Sequence, residues 1–461
     1  MNIHVERIKS ANPVEIIDRR LLDFQRSRFD SDVFLIEYPF AQYYLPKSPV
    51  KTLSALIFIE RRAEEVQLAV TVFSENNNFE KALFSIEPNF LFISNLCQKH
   101  QLPFFVFDQP ILLQPINIPK PWGKEVWYSG IEERGQSLAS DGHYAIPLPW
   151  LLSIGEKYWL DQKNTSLILL KILDPLPEPV FGDLYFEMHE EKREVYVVTN
   201  IDEDAWPKGE GGIKFGFDQS KRRVFTDDTA FKQAYTKAVE NYRQVRIEID
   251  KQLDDCRIQE NIGLNEPVSA QTLQGWLSII DSSLQKKEMS LRLEMESFIN
   301  IQSLKVGDVI KVPTLTPHCL MHGVRTIEFQ TPVYERKILS FAQKVLTQNH
   351  WDTESAMELV TLDAPSLPTL ELLENDSTYT LESVVKFDDF EVVRATFLTA
   401  GSLTVELNDR YGIVISIMGN LTVNGSSLNS EQAMLVGGAV DAIKVESSSD
   451  NAILLIATPV D

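Results

Sequence analysis

Apolar and polar residues alternate over many short stretches of the chain, give way to a three-to-four-residue spacing in the middle, and then alternate again. Near the N-terminus, 50–60 (VKTLSALIFIE), 65–73 (EVQLAVTVF) and 104–107 read as strands, while 79–84 and 93–99 carry helical spacing. A small α/β or α+β extension is therefore expected over 1–118. The run 109–121 contains four prolines and reads as a linker or domain seam. Beyond it, 166–173 (SLILLKIL), 184–189 and 194–201 are expected as strands, with 209–212 and Gly216 as turn material. From 229 to 253, Phe231, Ala234, Ala238, Val239, Tyr242, Val245, Ile249 and Leu253 recur at helical spacing. Two more helices are expected over 269–284, capped by Ser269, and over 286–298. Strands resume at 306–313 and 326–329, with a tight turn at Gly307-Asp308. From 387 to 459 nearly everything reads as short, evenly spaced strands, the pattern of a sandwich or jelly roll. The expected organisation is a mainly β chain: an extension over 1–118, a β domain from 119–226 and 299–345, a helical insertion over 227–298, and a second β domain over 346–461.

Composition narrows the function. The chain has 461 residues, too many for one ordinary core. Its 44 Lys and Arg against 66 Asp and Glu give a net charge of −22, which argues against nucleic acid or an anionic membrane as partner. A phosphorylated substrate would need a local basic pocket against that field. No stretch approaches the ~18 apolar residues of a spanning helix, and the first residues lack a signal-peptide pattern. The three cysteines, Cys97, Cys256 and Cys319, are odd in number and widely spaced. A reducing, cytoplasmic location is expected.

Two stretches hold the candidate chemistry. Residues 186–196 read Phe-Glu-Met-His-Glu-Glu-Lys-Arg-Glu-Val-Tyr, and 313–330 contain Pro-Thr-Leu-Thr-Pro-His-Cys-Leu-Met-His. On a strand Glu187 and His189 share a face. Glu194 follows a charged run able to turn, and His318 must arrive from a pairing strand. Two His and two carboxylates suit Zn2+ or another divalent metal. The competing reading makes His189 a surface residue in a charged cluster. His322 is a weaker rival to His318, and Cys319 should point the opposite way. His4, His100, His143 and His350 lack ligand-like neighbours.

Residues 312–340 (VPTLTPHCLMHGVRTIEFQTPVYERKILS) resemble the signature region of type I mannose-6-phosphate isomerases, zinc-dependent cupins. In that family the signature His binds zinc, with a Glu and an Arg further on; these places fall on His318, Glu328 and Arg336. The family's Gln-x-His and Lys-x-Glu pattern resembles Glu187-Met-His189 and Lys192-Arg-Glu194-Val-Tyr196. Leu169-Leu-Lys-Ile-Leu-Asp174 resembles the strand before that site, and Lys120-Pro-Trp122-Gly-Lys-Glu125-Val-Trp127 a compressed form of the Trp-Gly element. The resemblance covers roughly residues 119–461. It implies tandem cupin (jelly-roll) domains and a metal site of Glu187, His189, Glu194 and His318. There are departures: Glu187 stands in place of a Gln, the loop after His189 is short, and Arg336 follows Glu328 two residues early.

The implied reaction interconverts mannose 6-phosphate and fructose 6-phosphate through an enediol. That chemistry needs an ion to polarise the carbonyl and a carboxylate to carry the proton. Glu328 is the candidate carboxylate, its alternative being an ion pair with Arg325. Arg336 suits an oxyanion or phosphate, its alternative being a pair with Glu335. Lys192 adds positive charge unless it is a solvated loop lysine. Trp122 and Glu125 are candidates for the substrate wall and rim, although Trp122 and Trp127 equally suit a core. Two other readings stand beside the isomerase: a non-catalytic, metal-supported sugar-binding or regulatory cupin, and an Fe(II) oxygenase.

Overall fold

The structure is a computed structural model that describes residues 5–62, 65–75, 77–83, 89–160 and 166–460. His4 and the last residue of the expected 79–84 helix lie outside the described residues. The fold is mainly β, of the cupin-like jelly-roll kind. The chain divides into two compact units: one comprises 1–116, 127–169 and 370–461, the other 117–126 and 170–369.

The second unit holds the candidate chemistry. Its six-stranded sheet runs in the order Val309–Val312, Glu194–Ile201, Val324–Gln330, Leu169–Pro175, Gly123–Trp127, Ile116–Lys120. Its five-stranded sheet runs Ile299–Leu304, Gly211–Phe217, His318–Leu320, Phe186–Met188, Lys337–Ser340. Tyr196 and Val312 from the first sheet pack with Ile213, Phe215 and Ile338 from the second, so the two sheets close face to face on one apolar core. The outer face of the five-stranded sheet is covered by the helical insertion. There Phe186, Met188 and Phe217 pack against Phe231, Tyr235 and Tyr242 of the Asp228–Gln259 helix. Two-residue alternation thus sends Met188 to the helices and leaves Glu187 facing inward.

Several elements differ from the sequence expectation for identifiable reasons. Residues 211–217 form a buried strand instead of a turn. A Cβ on Gly211 would lie 2.4 Å from Val324 Cγ2, so glycine here permits close packing. Gly216 has φ +68°, and the register shifts between Lys214 and Phe217. That irregularity turns Phe215 to the inter-sheet core and Phe217 to the helices. The expected helix 269–284 stops at Ser278; Asp281 caps a separate helix, Ser282–Glu296, by accepting from Ser283 and Leu284 N–H. Ser269 caps the Ala270–Ser278 helix by accepting from Thr272 N–H. The proline run 109–121 contains strands Ile111–Gln114 and Ile116–Lys120. Pro110 and Pro115 flank the first, and Pro119 sits in an edge strand, where no ladder donor is needed.

In the first unit, the N-terminal residues form a five-stranded sheet with helices Pro13–Arg26 and Phe90–Lys99. Strand Glu6–Lys9 lies parallel to Ser31–Ala41, and the remaining neighbours are antiparallel. The C-terminal residues form a second sandwich. Val414, Met434 and Leu454 from a nine-stranded sheet pack on Leu403, Val423 and Ile443 from a four-stranded one. Among the described residues no helix is long and apolar enough to cross a membrane. All three cysteines are free thiols.

Candidate metal centre

Glu187 pairs in register with His318 on adjacent antiparallel strands, which brings the two distant sequence stretches together. Across the core, Glu194 opens its own strand, with Tyr196 two residues on and Glu328 paired to Tyr196. The neighbouring Leu169–Pro175 strand adds Lys171. His189, Glu194 and His318 converge, all buried, with a donor atom of each within 4.8 Å of the others.

Glu194 is the hub. Its Oε1 lies 2.6 Å from Lys192 Nζ and 3.4 Å from His189 Nε2. Its Oε2 accepts a hydrogen bond from the Tyr196 hydroxyl at 2.6 Å and lies 3.1 Å from His318 Nε2. Burial favours protonation of Glu194, but Lys192, His189 and His318 overcome it and hold the carboxyl well below its usual range. Burial and the adjacent Glu194 push the Tyr196 hydroxyl far up, so it stays a donor.

Backbone carbonyls fix both imidazoles. His189 Nδ1 lies 2.9 Å from the Glu335 carbonyl, and His318 Nδ1 lies 3.1 Å from the Thr316 carbonyl. A carbonyl oxygen only accepts, so each Nδ1 carries a proton, and each Nε2 is the atom left to face the site. Both Nε2 atoms face the same ionised carboxylate, and His189 Nε2 is buried without a hydrogen-bond partner among the described residues. Burial, reinforced by Lys192, depresses the His189 pKa, so an imidazolium proton is a poor remedy. A divalent cation would suit two Nε2 atoms and a carboxylate so placed, and Nδ1–H to a backbone carbonyl is the support that metal-bound histidines use. The donor set of two imidazoles and a carboxylate fits zinc.

Glu187 stands at the edge of this trio. Its Oε1 is 4.0 Å from His189 Nε2, and its buried Oε2 has no hydrogen-bond partner among the described residues. Arg336 Nη1 is 3.7 Å from that Oε2, while Arg336 Nη2 donates to Thr347 and the guanidinium lies over the Tyr185 ring. Glu328 is 2% exposed, with Lys171 Nζ 3.5 Å away. Burial, with help from Glu194 and Glu125 and against Lys171 and Lys192, pushes the Glu328 carboxyl up to about 8. Glu125 forms an ion pair with Lys120 at 3.0 Å. Trp122 is packed in the core between the sheets. His322 is engaged elsewhere: its Nδ1 is 2.7 Å from Asp183 and its ring stacks on Trp206. Cys319 faces the helical insertion.

Three participants were not singled out from sequence. Lys171 carried a signal, since a lone charge inside the apolar run Leu169-Leu-Lys-Ile-Leu173 must find a buried partner. Tyr196 shares a strand face with Glu194, as two-residue spacing requires. Glu335 carried none. Its carboxylate accepts backbone N–H bonds from Glu190, Glu191 and Lys192 at 2.9, 3.1 and 3.1 Å, clipping the turn between the two ligand strands.

Fold and site together define a cupin-like jelly-roll protein with a buried His/Glu/His cluster. No family model and no curated protein matches the chain by sequence. Among solved structures it is similar to the mannose 6-phosphate isomerase from Bacillus subtilis, with 13% identity, coverage of 76% of this chain and 99% of that one, and a TM-score of 0.50. It is also similar to the apo form of mannose 6-phosphate isomerase from Salmonella typhimurium, with 11% identity, coverage of 76% and 99%, and a TM-score of 0.52. At such identities the likeness is one of fold.

Proposed function

We propose that the chain is a metal-dependent aldose–ketose isomerase acting on a sugar phosphate, with mannose 6-phosphate and fructose 6-phosphate as the pair. One observation carries this reading: two imidazole Nε2 atoms converging on one buried carboxylate, beside a second carboxyl pushed up to about 8. The motif resemblance and the fold supply the substrate class. His189, Glu194 and His318, with Glu187 adjacent, would hold zinc or a similar ion, which would supply Lewis acidity for the carbonyl and enediol oxygens.

The chain's own groups do the rest. Glu328, in its ionised form, takes the proton from one carbon and returns it to the next, and its tuning near neutrality suits both halves. Lys171 steadies the ionised form from 3.5 Å. Tyr196 fixes the orientation of Glu194. Arg336 and Lys192 offer positive charge to an oxyanion or to the phosphate. Glu125 borders this acidic and basic group.

The test is metal analysis of the purified protein with an assay for interconversion of the two sugar phosphates. About one divalent ion per chain, turnover abolished by chelation and restored by zinc, and loss of both metal and turnover in His318→Ala are the expected results. Bound metal with no turnover would sink the enzyme reading. The non-catalytic sugar-binding reading would then stand. It draws on Lys192, whose ammonium already lies 2.6 Å from Glu194, and on Glu187 in place of a glutamine. Bound iron with oxygen uptake would instead favour an oxygenase.

A further inference from the structure

Between the helical insertion and residues 179–181 and 342–346 lies a cavity of about 200 Å3 that none of the chemistry above uses. Its apolar wall comes from all three helices: Ile249 and Leu253 from the long one, Leu273 and Leu277 from the next, and Met289 from the last. Met289 is 55% exposed, so the cavity reaches solvent on that side.

Four cations border it. Arg246, Arg257, Arg292 and Lys344 all line the cavity. Arg246 pairs with Asp250 at 2.6 Å, and Arg292 with Glu288 at 3.1 Å. Asp254 must serve two cations: it holds Lys344 at 2.7 Å and leaves Arg257 at 3.7 Å. Glu266 adds a further carboxylate near Arg257, but it contributes a backbone carbonyl and not a side-chain hydrogen bond to the guanidinium. Arg257 is the one left short. It is 4% exposed, its Nη1 donates to the Glu266 carbonyl, and its Nε has no hydrogen-bond partner among the described residues. Trp276 covers one face of the guanidinium at 5.6 Å. A buried guanidinium is costly unless an anion completes its hydrogen bonds.

We propose that this cavity binds a small monocarboxylate with an apolar body, its carboxylate on Arg257 and its body among the leucines. One buried guanidinium N–H without a partner among the described residues calls for one anionic acceptor group. An apolar cavity of roughly 150 Å3 accepts a benzene-sized molecule, so this one takes a body of about eight to ten heavy atoms. The inference does not depend on the isomerase reading, because none of these residues belongs to the metal centre.

Isothermal titration of the full-length protein with octanoate, and with octanol as the uncharged analogue, tests the proposal. Octanoate is expected to saturate one site per chain, with octanol about tenfold or more weaker. Arg257→Gln should weaken octanoate by a similar factor, and Leu277→Trp, which fills the cavity at its partly exposed wall, should abolish binding. Melting curves report whether each variant folds. If Arg257→Gln does not, the octanoate–octanol comparison and Leu277→Trp still decide. Absence of saturable octanoate binding, octanol binding as tight as octanoate, or binding untouched by Leu277→Trp would each overturn the proposal.

Discussion

Glu328 links structure to pH more directly than any other residue. Its carboxyl rises from 4.5 to about 8, chiefly because it is buried. Below about 4.5 it is protonated in folded and unfolded chains alike. Between there and about 8 the unfolded chain ionises while the folded one keeps its proton, so the unfolded state binds fewer protons and stability falls as pH rises. Above about 8 the full penalty is present. Metal-free protein is therefore expected to melt several degrees lower at pH 8 than at pH 5 relative to Glu328→Gln, which has no such carboxyl; calorimetry across that range checks it. If Glu328 carries the proton, the same variant should lose about 10²–10⁴ in kcat. The acidic limb of the wild-type rate profile should also lie below 8 when metal is bound, because a nearby cation favours the ionised form.

At the scale of elements, the turn between the two ligand strands is the piece most open to test. Glu335 gathers three consecutive N–H groups of that turn on one carboxylate oxygen, and its carbonyl faces His189 Nδ1. Glu335→Ala frees the turn while leaving every candidate ligand in place. Divalent-ion affinity, measured against a competing chelator, is expected to fall about 10–100-fold, the usual cost of losing an outer partner of a metal ligand. Unchanged affinity would mean that the strands alone set the geometry. Such a contact is not legible in a sequence, because it joins residues more than 140 apart through backbone groups that have no residue signature. Alternation and helical spacing, by contrast, do reveal the strands that carry Glu187, Glu194 and Glu328 and the long helix behind them, since those periods record which face is buried. They fail at 211–217, where glycines that look like turn formers serve close packing in a strand, and at 279–281, where an uninterrupted helical pattern hides a cap at Asp281. Lys171 lies between these cases: its buried position is written in the apolar run around it, but its partner Glu328 becomes visible only when the Val324–Gln330 strand is placed beside it.

For the whole molecule, the surplus of 22 negative charges would set the terms on which the proposed sugar phosphate arrives. A phosphate dianion meets net repulsion at long range and meets Lys171, Lys192 and Arg336 only close to the candidate centre. These two fields respond differently to salt. At an ionic strength of about 0.1 M the screening length is roughly 10 Å, so the long-range repulsion largely disappears while contacts to buried cations are screened much less. Lys171 and Lys192 are each 8% exposed and belong to the protected class. The value of kcat/KM for mannose 6-phosphate is therefore expected to rise, by roughly twofold to tenfold, as ionic strength goes from about 0.01 to 0.15 M. Enzymes that steer their substrate with an attractive field show the opposite slope. Initial rates at low substrate over a salt series, with kcat measured at saturation to isolate capture, distinguish the two. A falling kcat/KM would mean that the local cations project their field beyond the site and that the overall charge does not govern capture.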